Sequence, residues 1–320
     1  MFLSLLGNQI GAHRVAAIGF LVSWVFTFIA LNKRFSFLPL DQGKAFVEGG
    51  DQSKGKLRGV GLVIIIAFIA TGLLFAKVSP EYVIFLILIF AVMMSGYLDD
   101  ASDTPWSDYK KGAIDLGISI IYVVSFIHWN GTEIQFFHWT LTLHPLLYAI
   151  LGIILIWVSI NVTNCADGID GLCTTLVIIT IGSFLVIFGK NLGNYVGYSV
   201  ILIGAMLAYL CFNTLPSTML MGDAGSRAFG FFIAVLAMKS RHPFSFLLLA
   251  IVLILDGGLG LAKIFLLRFL KIRILANTRT PLHDEVRKNQ ANRNWSKTQI
   301  VFRFSIVQVM FSMLAYILLA

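Results

Sequence analysis

Apolar stretches of about 20 residues recur along the whole chain, each long enough to cross a ~30 Å hydrocarbon core as a helix. In lipid every backbone N–H and C=O must find its partner within the protein, which leaves helices or closed barrels. Barrel strands alternate apolar and polar residues, whereas these runs are continuous, so helices are expected. Composition agrees: 58% of the 320 residues are hydrophobic and 12% are charged, against about 25% charged in soluble domains. This excludes a soluble globular enzyme, a disordered tail and a fibrous repeat.

Breaks at charge, Gly and Pro divide the chain into ten expected helices. They lie near 15–31, 59–76, 82–98, 112–127, 145–160, 172–188, 196–212, 228–238, 246–270 and 298–319. The ninth is long enough to tilt or break, and Asp256 beside Gly257 and Gly258 marks the expected break. The expectation is an all-α integral membrane protein, one polytopic domain over residues 1–320, without a cleavable signal peptide.

Direction follows from the loops. Eighteen of the 24 Lys and Arg residues fall in alternate loops, at 33–58, 110–111, 227 and 268–303. That set is expected to face the cytoplasm, with both termini outside and the chain in a bacterial inner membrane. The net charge of +8 then reflects positive-inside topology and contact with anionic lipid. Its dispersal over several loops argues against nucleic acid. Cys165, Cys173 and Cys211 lack metal-ligand spacing and read as small apolar residues.

Twelve of the 16 acidic residues share the predicted inner face, and several end helices where a bare carboxylate near lipid is costly. Asp99-Asp100 closes the third helix. Adjacent carboxylates repel unless a cation intervenes, and a hard ion such as Mg²⁺ uses such oxygens; a solvated helix end is the alternative. In Asn161-Val-Thr-Asn164-Cys-Ala-Asp167-Gly168-Ile-Asp170-Gly171, polar residues recur every three positions, so a helix would line them on one face. That row is too polar for a helix–helix contact in lipid and suits a substrate. Gly222-Asp223-Ala224-Gly225-Ser226 opens a helix, whose N-terminus favours phosphate; Asp223 is either a cap or a metal ligand. Asn213, at the preceding helix end, can add an uncharged contact. The loop Arg279-Thr-Pro281-Leu-His283-Asp284-Glu285 holds the one histidine on the inner side, flanked by cations. Asp115 and Asp256, inside apolar segments, are expected to face the bundle interior. Aromatic residues over 127–144, around a turn at Asn130-Gly131, fit an outer interfacial belt.

Together these motifs resemble the polyprenyl-phosphate N-acetylhexosamine-1-phosphate transferase superfamily, over residues 40 to 305 or so. Thr280-Pro281-Leu282-His283 and Trp295…Gln299…Arg303-Phe304 are similar to its phospho-N-acetylmuramoyl-pentapeptide transferase branch. The resemblance implies transfer of phospho-MurNAc-pentapeptide from UDP-MurNAc-pentapeptide to undecaprenyl phosphate, giving lipid I and UMP with Mg²⁺, in a homodimer. It implies that Asp223, Asn164 and the Asp99/Asp100 pair hold Mg²⁺, with Asp99 or Asp100 also positioning or deprotonating the lipid phosphate. Asp167, Asp170 and Asn213 would bind the nucleoside, Asn161 and Gly168 would complete the substrate row, and His283 would contact phosphate or sugar. Attack is either direct or through a covalent Asp intermediate. Two departures stand out. Asp284 and Glu285 follow His283 where the branch usually has further histidines. Lys54-Gly-Lys56-Leu-Arg58 replaces its Thr-Pro-Thr-Met-Gly-Gly stretch, with Lys54 as the basic counterpart. Two rival readings are a GlcNAc-1-phosphate transferase and a cation-coupled transporter, whose sites usually lie nearer the midplane.

Overall fold

The computed structural model describes residues 11–43, 53–137, 139–287 and 294–319. The expectations for Lys44, Glu48, Asp51, His138, Lys288 and Arg293 lie outside those residues. All ten apolar segments are helical. They form α1 (Ala12–Asn32), α2 (Gly61–Phe75), α3 (Pro80–Asp100), α4 (Asp108–Asn130), α5 (Pro145–Cys165), α6 (Leu172–Leu192), α7 (Tyr195–Asn213) and α8 (Gly222–Lys239). Then come α9 (Pro243–Leu249) and α10 (Ile251–Leu270), which meet at a 72° bend, the short α11 (Leu282–Arg287), and α12 (Lys297–Leu319). Among the described residues seven helices are long and apolar enough to span a bilayer, and eight if the bent pair is one span.

The two helices most displaced from that standard are the most buried. α2 has only 15 residues, and α8 is enclosed along nearly its whole length, from Ala224 to Met238. α8 packs against α2, α3, α5 and α6. Small residues permit these close approaches, as expected where helices associate in lipid. A Cβ on Gly61 would lie less than 3.0 Å from the Gly225 backbone, and one on Gly96 would lie that close to the backbone of Asp223. Gly230 meets Ser159 and Ile160 of α5 in the same way. Farther along, Phe231 and Phe232 pack on Phe85 and Phe68. Arg227, one turn beyond Asp223, is buried and paired with Asp115 of α4. Asp115 thus faces the interior, as the cost of a bare charge in lipid requires.

The connection between α4 and α5 differs from the expected simple belt. Gly131, at φ 73°, ends α4. Glu133–Phe136 (β1) and Trp139–Thr142 (β2) then pair as an antiparallel hairpin. The alternation of polar and apolar residues in Glu-Ile-Gln-Phe and Trp-Thr-Leu-Thr has the period of strands. Trp129, Phe136, Phe137 and Trp139 remain exposed.

The break between α9 and α10 frees backbone groups that lipid cannot satisfy. α12 supplies a partner. Gln308 donates to the Leu249 carbonyl at 2.8 Å and accepts from the Val252 N–H at 3.1 Å. Thr180 of α6 adds a second donor to Leu249, at 2.8 Å. Gln308→Leu should therefore destabilise the detergent-solubilised protein by about 1–3 kcal/mol, the cost of orphaned buried groups. An unchanged thermal unfolding curve would show that the bend does not depend on this clamp.

Within α10, residues Ile254–Gly258 are π-helical. A Cβ on Gly257 would lie less than 3.0 Å from the Val162 carbonyl oxygen, so only glycine lets the two segments pass this closely. Asp256 sits in this widened turn, where the sequence placed a break. The widened turn aims its side chain at α11.

Candidate active site

Four chain segments meet at the N-terminus of α8. α3 ends there with Asp99 and Asp100, α5 ends with Asn164, the strand-like segment before α2 brings Arg58, and α4 brings Lys111. Asp100 is fully buried as a side chain and accepts from Arg58 Nε at 2.8 Å. It also accepts from the Ala224 N–H at 3.3 Å, so a carboxylate of α3 satisfies one of the free donors that open α8. Gly222, at φ 67°, makes room, because a Cβ there would collide with Asp100 Oδ2. Tyr209 fixes the entry to the helix through its hydroxyl, which accepts from the Met221 N–H at 2.7 Å.

Asp223 accepts from Asn164 Nδ2 at 3.2 Å and from Lys111 Nζ at 3.3 Å, with Arg58 Nη2 at 3.7 Å. Lys111 simultaneously pairs with Asp99, which also accepts from the Trp106 N–H at 2.7 Å. Asn164 Oδ1 accepts from Ser226 at 3.2 Å. Three carboxylates are thus bridged by two cations. Burial works against the charge of Arg58, yet Asp100, Asp223 and Asp41 outweigh it and raise the guanidinium pKa above its usual value.

The sequence row divides into two levels. Asn164 faces Asp223, whereas Asn161, one turn deeper, donates to the Trp157 carbonyl at 2.8 Å and lies beside Asp115. Asp167, Gly168 and Asp170 occupy the turn between α5 and α6. Asp170 lies 3.7 Å from Lys56 Nζ, and Lys56 donates to Ser217 at 2.8 Å. Asn213 is buried and spans two loops, accepting from the Gly171 N–H at 2.8 Å and donating to the Met219 carbonyl at 2.9 Å. His283 is buried against Gly168. The structure thus brings together Asp99, Asp100, Asn164 and Asp223, with Gly168 and Asp170 on the adjoining turn and His283 of α11 packed against it.

With that geometry in hand, comparison with known proteins is specific. The pattern of the family described as Glycosyl transferase family 4 matches residues 82–241, which hold Asp99, Asp100, Asn164 and Asp223. A phospho-N-acetylmuramoyl-pentapeptide-transferase of Treponema pallidum (strain Nichols) is 37% identical over 306 residues, covering 88% of this chain and 83% of that one. The chain belongs to this family of transferases. A namesake from Oceanobacillus iheyensis is 28% identical, with 90% of both chains covered. Another, from Campylobacter lari, is 27% identical over 80% of this chain and 79% of its own. The transferase is a multi-pass protein of the bacterial inner membrane.

Sequence reasoning passed over the cations of this transferase site. Lys54 is exposed, while Lys56 and Arg58 reach the carboxylates. Leu57 bridges Leu40 and Met219 in extended backbone, so its two neighbours point together to the opposite side. A Lys–x–Arg pair, Lys56 and Arg58, signals this only once the segment is known to be extended. Lys111 was counted as topology alone. The partner of His283, Asp256, was expected nearby but not as its hydrogen-bond acceptor.

Proposed function

We propose that the chain transfers phospho-MurNAc-pentapeptide from UDP-MurNAc-pentapeptide to undecaprenyl phosphate, releasing UMP and forming lipid I. The observation that carries this reading is the meeting of Asp99, Asp100 and Asp223 with Arg58 and Lys111 at the N-terminus of α8. Both substrates are anions at their reacting ends. Cations and a helix N-terminus offset their mutual repulsion, the main demand of phosphoryl transfer. The loops that hold this cluster are the basic ones, which supports a cytoplasmic site, ten crossings and outer termini. A homodimer and a single domain over the whole chain belong to the same reading.

Mg²⁺ is the proposed cofactor. The carboxylates of Asp99, Asp100 and Asp223 and the amide oxygen of Asn164 are oxygen ligands, the set a hard divalent ion uses. Among the described residues no three His, Cys, Asp or Glu side chains converge tightly enough to hold a metal unaided. Arg58 and Lys111 stand between the carboxylates. Asp223, with Asn164 turned to present its amide oxygen and one of Asp99 and Asp100, would hold the ion. Bound Mg²⁺ would withdraw charge from the diphosphate.

The protein's own groups do the rest. Arg58 and Lys111 exchange part of their contact with carboxylates for contact with substrate phosphate oxygens. Asp99, tethered by Lys111 and the Trp106 N–H, positions the lipid phosphate and accepts its proton. An oxygen of that phosphate bonds to the phosphorus that bears the sugar. The bond from this phosphorus to the bridging oxygen breaks, and the electron pair leaves with UMP. Asp100 anchors Arg58 and α8 rather than touching substrate. Asp167 and Asp170 form the nucleoside side of the site, with Lys56 beside them, while Asn161, Gly168 and Asn213 shape the walls.

Purified full-length protein should release UMP from UDP-MurNAc-pentapeptide when undecaprenyl phosphate and Mg²⁺ are both present, and not when either is omitted. Turnover of UDP-GlcNAc alone would replace the muramoyl reading with the GlcNAc-1-phosphate one. Ion flux in proteoliposomes without UMP release would favour a transporter.

A further inference from the structure

His283 and Asp256 are the most enclosed ionisable pair near the site, at 2% and 0% exposure. They come from different elements, α11 and the π-helical stretch of α10. Asp256 engages the histidine twice: Oδ1 accepts from the His283 backbone N–H at 2.8 Å, and Oδ2 lies 2.8 Å from Nδ1. The first contact alone would serve to dock α11, and an asparagine could make it. The second is a different requirement. A carboxylate only accepts hydrogen bonds, so the Oδ2 contact demands a proton on Nδ1. In a neutral imidazole the other nitrogen then carries a lone pair.

That other nitrogen has a defined surround. Nε2 rests over Gly168, where a Cβ would lie less than 3.0 Å from it. Beyond it Asp284 Oδ1 lies 3.9 Å away and is itself paired with Arg287 at 3.4 Å. The imidazole is therefore clamped at Nδ1, leaving Nε2 turned onto the turn between Asp167 and Asp170. A π-helical turn commonly marks a functional position, since it costs backbone stability to keep. Here its product is the orientation of one carboxylate.

We propose that Asp256 is a positioning residue of the transferase: it holds His283 in the Nδ1–H tautomer and keeps Nε2 facing the Gly168 turn as the atom that meets substrate. The inference rests on the transferase reading above and on His283 touching substrate. Asp256 acts only through the histidine, as the buried carboxylate does behind a catalytic imidazole in other enzymes.

Asp256→Asn separates the two contacts. Its amide oxygen can still accept from the His283 N–H. Its amide NH₂ then donates to Nδ1, which moves the ring proton to Nε2. We expect kcat for UMP release to fall at least about 100-fold with KM for UDP-MurNAc-pentapeptide little changed, the pattern of a misoriented rather than missing group. ¹⁵N-histidine NMR of the full-length protein in detergent micelles gives the independent readout, with the His283 signals assigned by their loss in H283Q. The wild type should show Nδ1–H and D256N should show Nε2–H. A wild-type spectrum with the proton on Nε2, or a folded D256N with wild-type kcat, overturns the proposal. If D256N does not fold, D256E keeps a carboxylate against the ring. Activity above H283Q with Nδ1–H retained supports the positioning role, and activity no better than H283Q with that tautomer retained overturns it. A wild-type protein that releases no UMP refutes the transferase reading instead, and the tautomer result stands apart from that failure.

Discussion

Asp223→Asn is expected to remove Mg²⁺-dependent UMP release almost completely, with kcat down by at least about 10³-fold. Asp223 is where both cations and Asn164 converge, at 3.3 Å from Lys111, 3.7 Å from Arg58 and 3.2 Å from Asn164. The substitution preserves shape and removes one negative charge, leaving Arg58 and Lys111 in excess. The fold should survive, because Asp100 rather than Asp223 bonds a free amide in the first turn of α8. Two measurements separate chemistry from folding. The thermal transition of the variant without Mg²⁺ should match the wild type, whereas the rise in Tm that added Mg²⁺ gives the wild type should disappear, since a ligand stabilises only the state that binds it. Full Mg²⁺-dependent turnover by Asp223→Asn would end the assignment of Asp223 as a metal ligand.

A second large effect is expected at a residue that carries no side chain. Gly96 of α3 faces the backbone of Asp223, and a methyl group there would lie less than 3.0 Å from main-chain atoms. Main chain cannot rotate away as a side-chain tip can, so Gly96→Ala must push α3 from α8. The overpacking should cost about 3 kcal/mol. It should also separate Asp99 and Asp100 from Asp223, so activity should be lost even in the fraction that folds. Gly117 of α4 is the control. No heavy atom lies within 4 Å of the position its Cβ would take, and Gly→Ala inside a helix gains up to about 1 kcal/mol. Gly117→Ala should therefore keep wild-type turnover and melt no lower than the parent. If Gly96→Ala were equally silent, close contact of α3 and α8 would not be what assembles the site.

The contrast between those glycines also measures what the sequence can disclose. Continuous apolar runs mark the long helices, because lipid leaves backbone groups no other partner; the short α11 carries no such run. Asp99-Asp100, Asn164 and Asp223 are conspicuous as charge and amide where lipid penalises both. Nothing in one sequence distinguishes Gly96 from Gly117, since the difference lies in which helix faces each one. The same limit hid Arg58 and Lys111. Basic residues in inner loops are expected of any membrane protein, and only three-dimensional proximity separates those that hold carboxylates from those that meet lipid headgroups. Around Lys54 the backbone adds what chain position cannot: the turn at Gly55, with φ 83°, leaves Lys54 exposed, whereas Lys56 and Arg58 pair with Asp170 and Asp100. The hairpin at 133–142 was missed because four-residue strands beside aromatic residues look like an interfacial belt. The Gln308 clamp was invisible because a single Gln in an apolar helix carries no sign of which carbonyls it will meet.

Arg227 has a consequence for how the chain is built. A guanidinium at a helix centre costs about 2.5–3.5 kcal/mol at insertion. Asp223 lies in the first turn of α8, and Arg227 sits in the second turn but is fully buried there. Its counter-charge, Asp115, lies on α4 and is made 112 residues earlier. When α8 leaves the ribosome, its electrostatic partner is already in the bilayer, and Gly61 of α2 and Gly96 of α3 offer it a slot. The helix that carries the reaction's central carboxylate thus enters the membrane as a guest of helices already there, and biosynthetic order is built into the assembly of the site.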